Sequence, residues 1–510
     1  MGIGVTATSL MMSGFNCSKP KKRNLPNIVF IMADDMGYGD VACLNPESKI
    51  PTPNMDRLAK EGIIFTDAHS GSAVCTPTRY GVLTGRYSWR TRLKSGVLWG
   101  YSRPLIEKKR KTVASLLKEN GYSTACVGKW HLGLGWQIKD GYEYSDSSRE
   151  TGEYVDYSKP IKNGPTTLGF DYFFGIPASL DMLPYVYIEN DRVVEAPTER
   201  VAQTEGYRFY RGGPIAPGFR HSEVLPTCTQ KAVDFINNHA EKKTDEPFFL
   251  YFPLSAPHTP ILPAKEFKRK TKLGAYGDFV YQCDWTIGQV MEVLERNGLA
   301  KNTLFIVTSD NGCSPMADFK DLAEKGHNPS YHFRGHKADI FEGGHRIPFI
   351  ARWPEKVQPG TECDDTICLT DLMATAADIV DTKLPDNAGE DSVSILPDLL
   401  GTAKEPVREA TIHHSINGSF SIRQGKWKLE LCPGSGGWSD PKPKEARRLE
   451  MPEVQLYDLS VDIGEKENVY DKHPEVVERL TKLLQKYVDD GRSTPGTVQN
   501  NDRDVDIWKS

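Results

Sequence analysis

Three groups of side chains in this 510-residue chain carry chemistry by their type and spacing. The first is rich in oxygen. Asp34 and Asp35 end one apolar run and Asp310 and Asn311 end another, so three carboxylates and an amide can be offered to one hard divalent cation. Neither segment contains histidine or thiol, which favours Ca²⁺, with Mg²⁺ as the alternative. The second group is the segment Ser72-Ala-Val-Cys75-Thr-Pro77-Thr-Arg79, which continues to Gly85. Pro77 suits a first helical turn and Gly85 a C-cap, so the spacing predicts a short helix over 77–84 with Cys75 at its amino end. Free N–H groups and the helix dipole there favour an anion, and Arg79 adds a forked donor suited to a tetrahedral oxyanion. The third group is Lys129 and His131, which alternate and so share one side of an extended segment. Taken singly, each group also has an ordinary reading: Asp34 and Asp310 as loop caps, Cys75 as a structural cysteine, Lys129 as a solvated side chain and His131 as a core histidine.

The elements that must position these groups are also legible. Pro26–Met32 and Thr303–Thr308 are short, near-continuous apolar runs, the pattern of parallel strands buried on both faces. Both end in acids, and ligands of open α/β sheets bind outside the carboxyl ends of the strands. Helical patterns with sensible stops run from Thr52 to Glu61, Thr112 to Asn120 and Thr286 to Asn297, each followed by glycine. Glu246–Phe252 and Ile347–Arg352 read as further strands. The alternation predicts an α/β fold with a large, mostly parallel central sheet sandwiched by helices. Residues 411–431 break the pattern, with an Asn417-Gly418 turn and a Gln424-Gly425 break, and predict a smaller antiparallel sheet. A charged helix over about Pro474–Asp490 follows. The expected organisation is a signal-like or disordered segment over 1–24, a catalytic α/β domain over 25–400 and a C-terminal subdomain over 401–510.

Composition narrows the classes. A net charge of −5 gives no basic field for nucleic acid. The ten cysteines contain no Cys-x-x-Cys pair or zinc-like spacing. The apolar start, followed by Lys19-Pro-Lys-Lys-Arg23, resembles the back half of a secretion signal, so export to the periplasm or the exterior is expected. Cys17 is a candidate for lipid anchoring, although Phe15-Asn16 before it matches a lipoprotein cleavage box poorly. Elsewhere the sequence has no apolar run long enough to span a bilayer.

The segment around Cys75 resembles the signature of type I sulfatases, of the arylsulfatase A-like kind within the alkaline phosphatase superfamily. Gly121–His131 resembles the second signature of that family, and both match without a departure. The resemblance implies an alkaline phosphatase-like fold and a Cys75 oxidised to formylglycine by a formylglycine-generating enzyme, with the aldehyde hydrate as nucleophile. It implies that Asp34, Asp35, Asp310 and Asn311, together with residue 75, hold the metal, and that Arg79 and Lys129 clamp the sulfate. His131 would deprotonate the hydrate and later help release sulfate. Ser255-Ala-Pro-His258-Thr-Pro260 resembles the Pro-His loop of the family, implying His258 as general acid. The stretch His336–Pro348 implies Lys337 as a second sulfate-binding lysine, and Gly169–Ser179 implies a sulfate contact from Ser179. The resemblance spans roughly residues 26 to 352.

The substrate expected from this resemblance is an O-sulfated carbohydrate, of galactose type or an amino sugar. The Tyr-, His-, Asp- and Arg-rich loops Asp181–Tyr187, His327–Arg334 and His413-His414 are candidates to hold its ring, or are ordinary surface loops. A phosphoester or phosphonate hydrolase of the same superfamily and a non-catalytic binder of sulfated glycans are the alternatives.

Overall fold

The computed structural model describes residues 1–2, 4, 24–145, 151–242 and 245–508. The signal-like segment with Cys17 lies almost entirely outside the described residues.

The apolar runs become the centre of a ten-stranded sheet. Its strands are β1 (Asn27–Asp34), β2 (Ile63–Phe65), β3 (Ser123–Lys129), β4 (Tyr172–Ile176), β5 (Ile188–Glu189), β6 (Arg192–Val193), β7 (Phe248–Pro257), β8 (Thr303–Ser309), β9 (Phe349–Arg352) and β10 (Thr361–Cys363). They are ordered β10-β2-β9-β8-β1-β7-β3-β4-β5-β6. The five central strands, β8 through β4, are mutually parallel, whereas β9 and β5 reverse direction towards the edges. Every residue of β1, β7 and β8 is buried, as the continuous hydrophobicity requires of strands covered on both faces.

The covering helices include α1 (Pro53–Lys60), α2 (Cys75–Thr84), α3 (Val113–Glu119), α4 (Val224–Glu241) and α5 (Gly274–Arg296). Thr112 caps α3, its hydroxyl accepting from the Ser115 amide at 3.0 Å. The helix expected over 286–297 proves to be only the second half of α5. Its first half carries Gly274 and Gly277 and buries Asp278 and Asp284, so propensity and periodicity there are weak and packing decides. Asp284 also serves α1, accepting from the Asn54 and Met55 amides at 3.0 and 2.8 Å, where Thr52 supplies no side-chain cap.

The antiparallel sheet consists of β11 (Thr411–His414), β12 (Phe420–Gln424), β13 (Trp427–Glu430) and β14 (Gln455–Asp458). The last strand follows the Gly/Ser/Pro-rich stretch Pro433–Pro441 and is not apparent from its sequence. Ile412, Ile422, Leu429 and Leu456 pack there against Leu480 and Leu484 of the terminal helix, Pro474–Asp489, and against Tyr87 and Trp89. Among the described residues no helix is long and apolar enough to cross a membrane.

Candidate active site

Strand register gathers the acids. Ala33 of β1 pairs with Ser309 of β8, and the Asp310 amide donates to the Ala33 carbonyl at 3.0 Å. Asp34, Asp35, Asp310 and Asn311 therefore leave the sheet side by side. Asp34 is also opposite Pro257, which places His258 at the same edge, and Lys129 ends β3 on the far side of β7. Asp35 has φ +69°, a left-handed conformation that aspartate tolerates better than most residues. Helix α2 enters with Cys75 as its first residue, two residues earlier than the proline suggested, and ends at Gly85 with φ +62°.

The charges meet in a buried cluster, with only His258 and Lys337 slightly exposed. Lys129 Nζ lies 2.8 Å from both oxygens of Asp34. Arg79 donates to Asp310 Oδ2 at 2.6 Å and lies 3.3 Å from Asp34 Oδ1. Lys337 reaches Asp35 at 2.7 Å, and Asn311 Nδ2 donates to the same carboxylate at 2.7 Å. Cys75 Sγ is 3.6 Å from Asp34 Oδ1, and His258 Nε2 is 3.7 Å from Asp35 Oδ2. Asp34, Asp35, Cys75 and His258 present ligand atoms within 4.8 Å of one another. Asn311 Oδ1 is buried beside them without a hydrogen-bond partner, an orphan acceptor in a donor set otherwise suited to a hard divalent cation. The residues present thus fit a metal.

Burial and charge set the protonation states. Burial would raise the Asp34 pKa, but Lys129, His258, Arg79 and Lys337 hold it well below the usual carboxylate range. Burial pushes the Cys75 thiol up to about 12 against the pull of Lys129 and Lys337, so the unmodified side chain is not a thiolate. Burial, then Lys129 and Arg79, hold His131 well below the usual histidine range, so it is neutral. His131 Nε2 lies 2.8 Å from the Leu98 carbonyl, which fixes the proton on Nε2 and the lone pair on Nδ1. Nδ1 itself is buried and has no partner.

Nine of the expected residues, Asp34, Asp35, Cys75, Arg79, Lys129, His258, Asp310, Asn311 and Lys337, meet directly. His131 does not continue the strand from Lys129 as simple alternation suggested. Its φ is +54°, and it is tied in by the Thr76 hydroxyl, which donates to its carbonyl at 3.1 Å. Ser179 makes no direct contact with the cluster: its segment is tied in by the His131 amide, which donates to the Pro177 carbonyl at 3.0 Å, and its buried hydroxyl has no hydrogen-bond partner. Sequence reading missed Thr76 and Leu98, because the latch they form with His131 runs largely through backbone atoms and leaves no side-chain motif. In two of the three candidate sugar loops, some of the polar side chains already have partners inside the protein. His327 is buried on Asp40 at 2.9 Å and Arg334 donates to the Glu465 carbonyl at 2.6 Å. His413 is buried in β11, stacked on His345 with ring centroids 3.9 Å apart.

An α/β sheet that delivers buried acids, cations and a helix-start cysteine to one edge defines an enzyme of oxyanion chemistry. The chain belongs to the sulfatase family: the family model described as Sulfatase matches residues 26–382. It is 36% identical over 503 residues to an N-acetylgalactosamine-6-O-sulfatase of Bacteroides thetaiotaomicron, covering 90% of this chain and 92% of that protein. It is 32% identical to human arylsulfatase A over 483 residues, 90% of this chain and 87% of that one. A solved structure from work on the metabolism of multiple glycosaminoglycans by B. thetaiotaomicron superposes with a TM-score of 0.79 at 35% identity, covering 91% of this chain and 99% of its own. The protein is a sulfuric ester hydrolase with the alkaline phosphatase-like fold of its neighbours. Members of the family generally depend on formylglycine and a metal ion.

Proposed function

We propose that this enzyme removes an O-sulfate from a carbohydrate, an amino sugar or galactose-type residue of a sulfated glycan, at residue 75 in its formylglycine form. The observation that carries the reading is the convergence of Arg79, Lys129 and Lys337 on Asp34, Asp35 and Asp310 around the buried Cys75. Three permanent cations balance three carboxylates, so a dication and a sulfate ester entering together leave the site close to neutral. Similarity to the N-acetylgalactosamine-6-O-sulfatase supports the sugar.

Asp34, Asp35, Asp310 and Asn311 would hold the metal, Ca²⁺ by its oxygen donors with Mg²⁺ as the alternative, and residue 75 would complete the set. Bound there, the ion supplies Lewis-acid polarisation of a sulfate oxygen, and formylglycine supplies a hydrated aldehyde in place of a thiol. Lys129 and Lys337 orient the carboxylates and donate to sulfate oxygens as charge builds on them, and Arg79 fixes Asp310 and Asp34. Ser179 adds a hydroxyl donor to the sulfate. Neutral His131 would take up at Nδ1, the nitrogen left basic by the Leu98 carbonyl, the hydroxyl proton of the residue-75 hydrate as that oxygen bonds to sulfur and the sulfur–sugar oxygen bond breaks. His258, whose Nδ1 donates to the Thr259 carbonyl at 2.5 Å, would act in its imidazolium form, passing the Nε2 proton to the departing sugar oxygen. Export and a formylglycine-generating enzyme as maturation partner belong to the same reading.

The test is co-expression with a formylglycine-generating enzyme, peptide mass spectrometry across Cys75, and assay of sulfate or phosphate release from a panel of monosulfated sugars, 4-nitrophenyl sulfate and 4-nitrophenyl phosphate. Conversion with release is expected. Conversion with release from aryl sulfate but from no sugar would overturn the substrate, and release of phosphate alone would overturn the reaction.

A further inference from the structure

Beside the charged cluster lies a second polar group that sulfate chemistry does not use. The Leu98 amide donates to Thr76 Oγ1 at 3.2 Å, which holds the next residue, the half-buried Trp99, beside the first turn of α2. Asp181 lies two residues beyond Ser179, on the segment that follows β4. Arg211 joins the two: Nη1 is 2.5 Å from Asp181 Oδ2, and the guanidinium sits over the Trp99 ring, 4.8 Å from its centroid. The other oxygen of Asp181, Oδ1, is buried and has no hydrogen-bond partner, although the residue is only 7% exposed. A buried carboxylate oxygen without a donor is costly, and the structure around it supplies none.

We propose that Asp181, Arg211 and Trp99 form the subsite for the pyranose ring that bears the sulfate. Asp181 Oδ1 accepts from one ring hydroxyl, Arg211 donates to a neighbouring oxygen, and Trp99 covers the C–H face. A vicinal pair of sugar hydroxyls needs an acceptor and a donor side by side, which the ion pair provides. The pair carries no net charge, so it selects hydroxyls and not a second sulfate. This assignment rests on the carbohydrate reading above and extends it by naming what recognises the sugar. The competing explanation is that Arg211 only clamps the 181–187 segment, since it also donates to the Asp181 carbonyl at 3.1 Å and its own carbonyl accepts from Tyr185 at 2.8 Å.

The experiment compares Asp181→Asn and Trp99→Ala with wild type, all as matured enzyme, on the best monosulfated sugar and on 4-nitrophenyl sulfate. Asp181→Asn is expected to lower kcat/KM for the sugar by about 5- to 150-fold, the range for one unmade buried hydrogen bond, and to change the aryl ester less than about threefold. Trp99→Ala is expected to raise KM for the sugar about tenfold with the aryl ester nearly unaffected. Equal losses on both esters in both variants would assign the cluster to the fold and overturn the subsite. Unchanged sugar turnover in both variants would overturn it too, while leaving the carbohydrate reading intact. Wild type that cleaves the aryl ester but no sugar would overturn that reading and the subsite together. If Asp181→Asn fails to fold, Trp99→Ala decides alone.

Discussion

Arg79 donates to Asp310 at 2.6 Å with neither side chain exposed to water. Such a pair is costly to assemble and more costly to break, because removing one partner strands the other charge. Replacing Arg79 by alanine leaves Asp310 and one oxygen of Asp34 without it. The expected loss is about 3–5 kcal/mol of stability, read from the shift in urea midpoint at constant slope. A shift below about 1 kcal/mol would mean that the cluster is far better solvated than its burial indicates.

The orphan Asn311 oxygen predicts a ligand-linked stability. Ca²⁺ added to chelator-treated protein should raise Tm progressively with concentration, by an amount equivalent to about 2.7 kcal/mol at a hundredfold excess over Kd. Asn311→Ala should need more Ca²⁺ for the same rise. A melting curve indifferent to Ca²⁺ and Mg²⁺ would contradict the donor-set argument.

Unconverted Cys75 is a protonated, enclosed thiol. Iodoacetamide at about pH 8 should leave the 75-containing peptide unlabelled in the folded protein and label it in guanidinium, as mass spectrometry would read. Rapid labelling of the native state would show an accessible thiolate.

His413 gives a pH dependence. Burial, then the neighbouring His345, His69 and Lys428, push its pKa well below 6.5, with Glu342 pulling the other way. The unfolded chain therefore binds a proton that the native state refuses as pH falls below about 6.5, so this contribution is present above that pH and lost in acid. Each such histidine steepens the loss by up to about 1.4 kcal/mol per pH unit. His413→Leu should flatten the slope between about pH 6.5 and 5, and an unchanged slope would remove His413 from the account.

Asp398 runs the opposite way. Burial, then the Asp365 carboxylate, raise its pKa to about 7. The native state holds a proton that the unfolded chain has released, so stability from this group is greatest below about pH 4 and falls as pH rises through 7. Asp398→Asn should raise Tm more at about pH 8 than at about pH 4.5, and an equal gain at both would show a packing effect instead.

The sheet and the acids, Cys75, Arg79 and Lys129 of the charged cluster could be read from local rules, whereas His258 and Lys337 were expected only from the family resemblance. Continuous apolar runs ending in acids mark buried parallel strands, and a proline two residues after Cys75 marks a helix start. What stayed hidden depends on distant partners. The first half of α5 was obscured by its glycines and by Asp284, whose role as a cap for α1 is visible only in three dimensions. The turn at His131 has no local signature, since its left-handed conformation is stabilised by Thr76 and Leu98. His413 looked like a polar loop residue because its stacking partner, His345, is 68 positions away.

The hydrogen bond between Lys337 and Asp35 spans 302 positions of chain. During synthesis at about 5–20 residues per second, the first strand and its acids wait roughly 15–60 s for that ammonium to emerge. Over that interval the sheet cannot bury Asp35 beside its lysine partner, so completion of the charged centre is a late event in the birth of the molecule, timed by the ribosome.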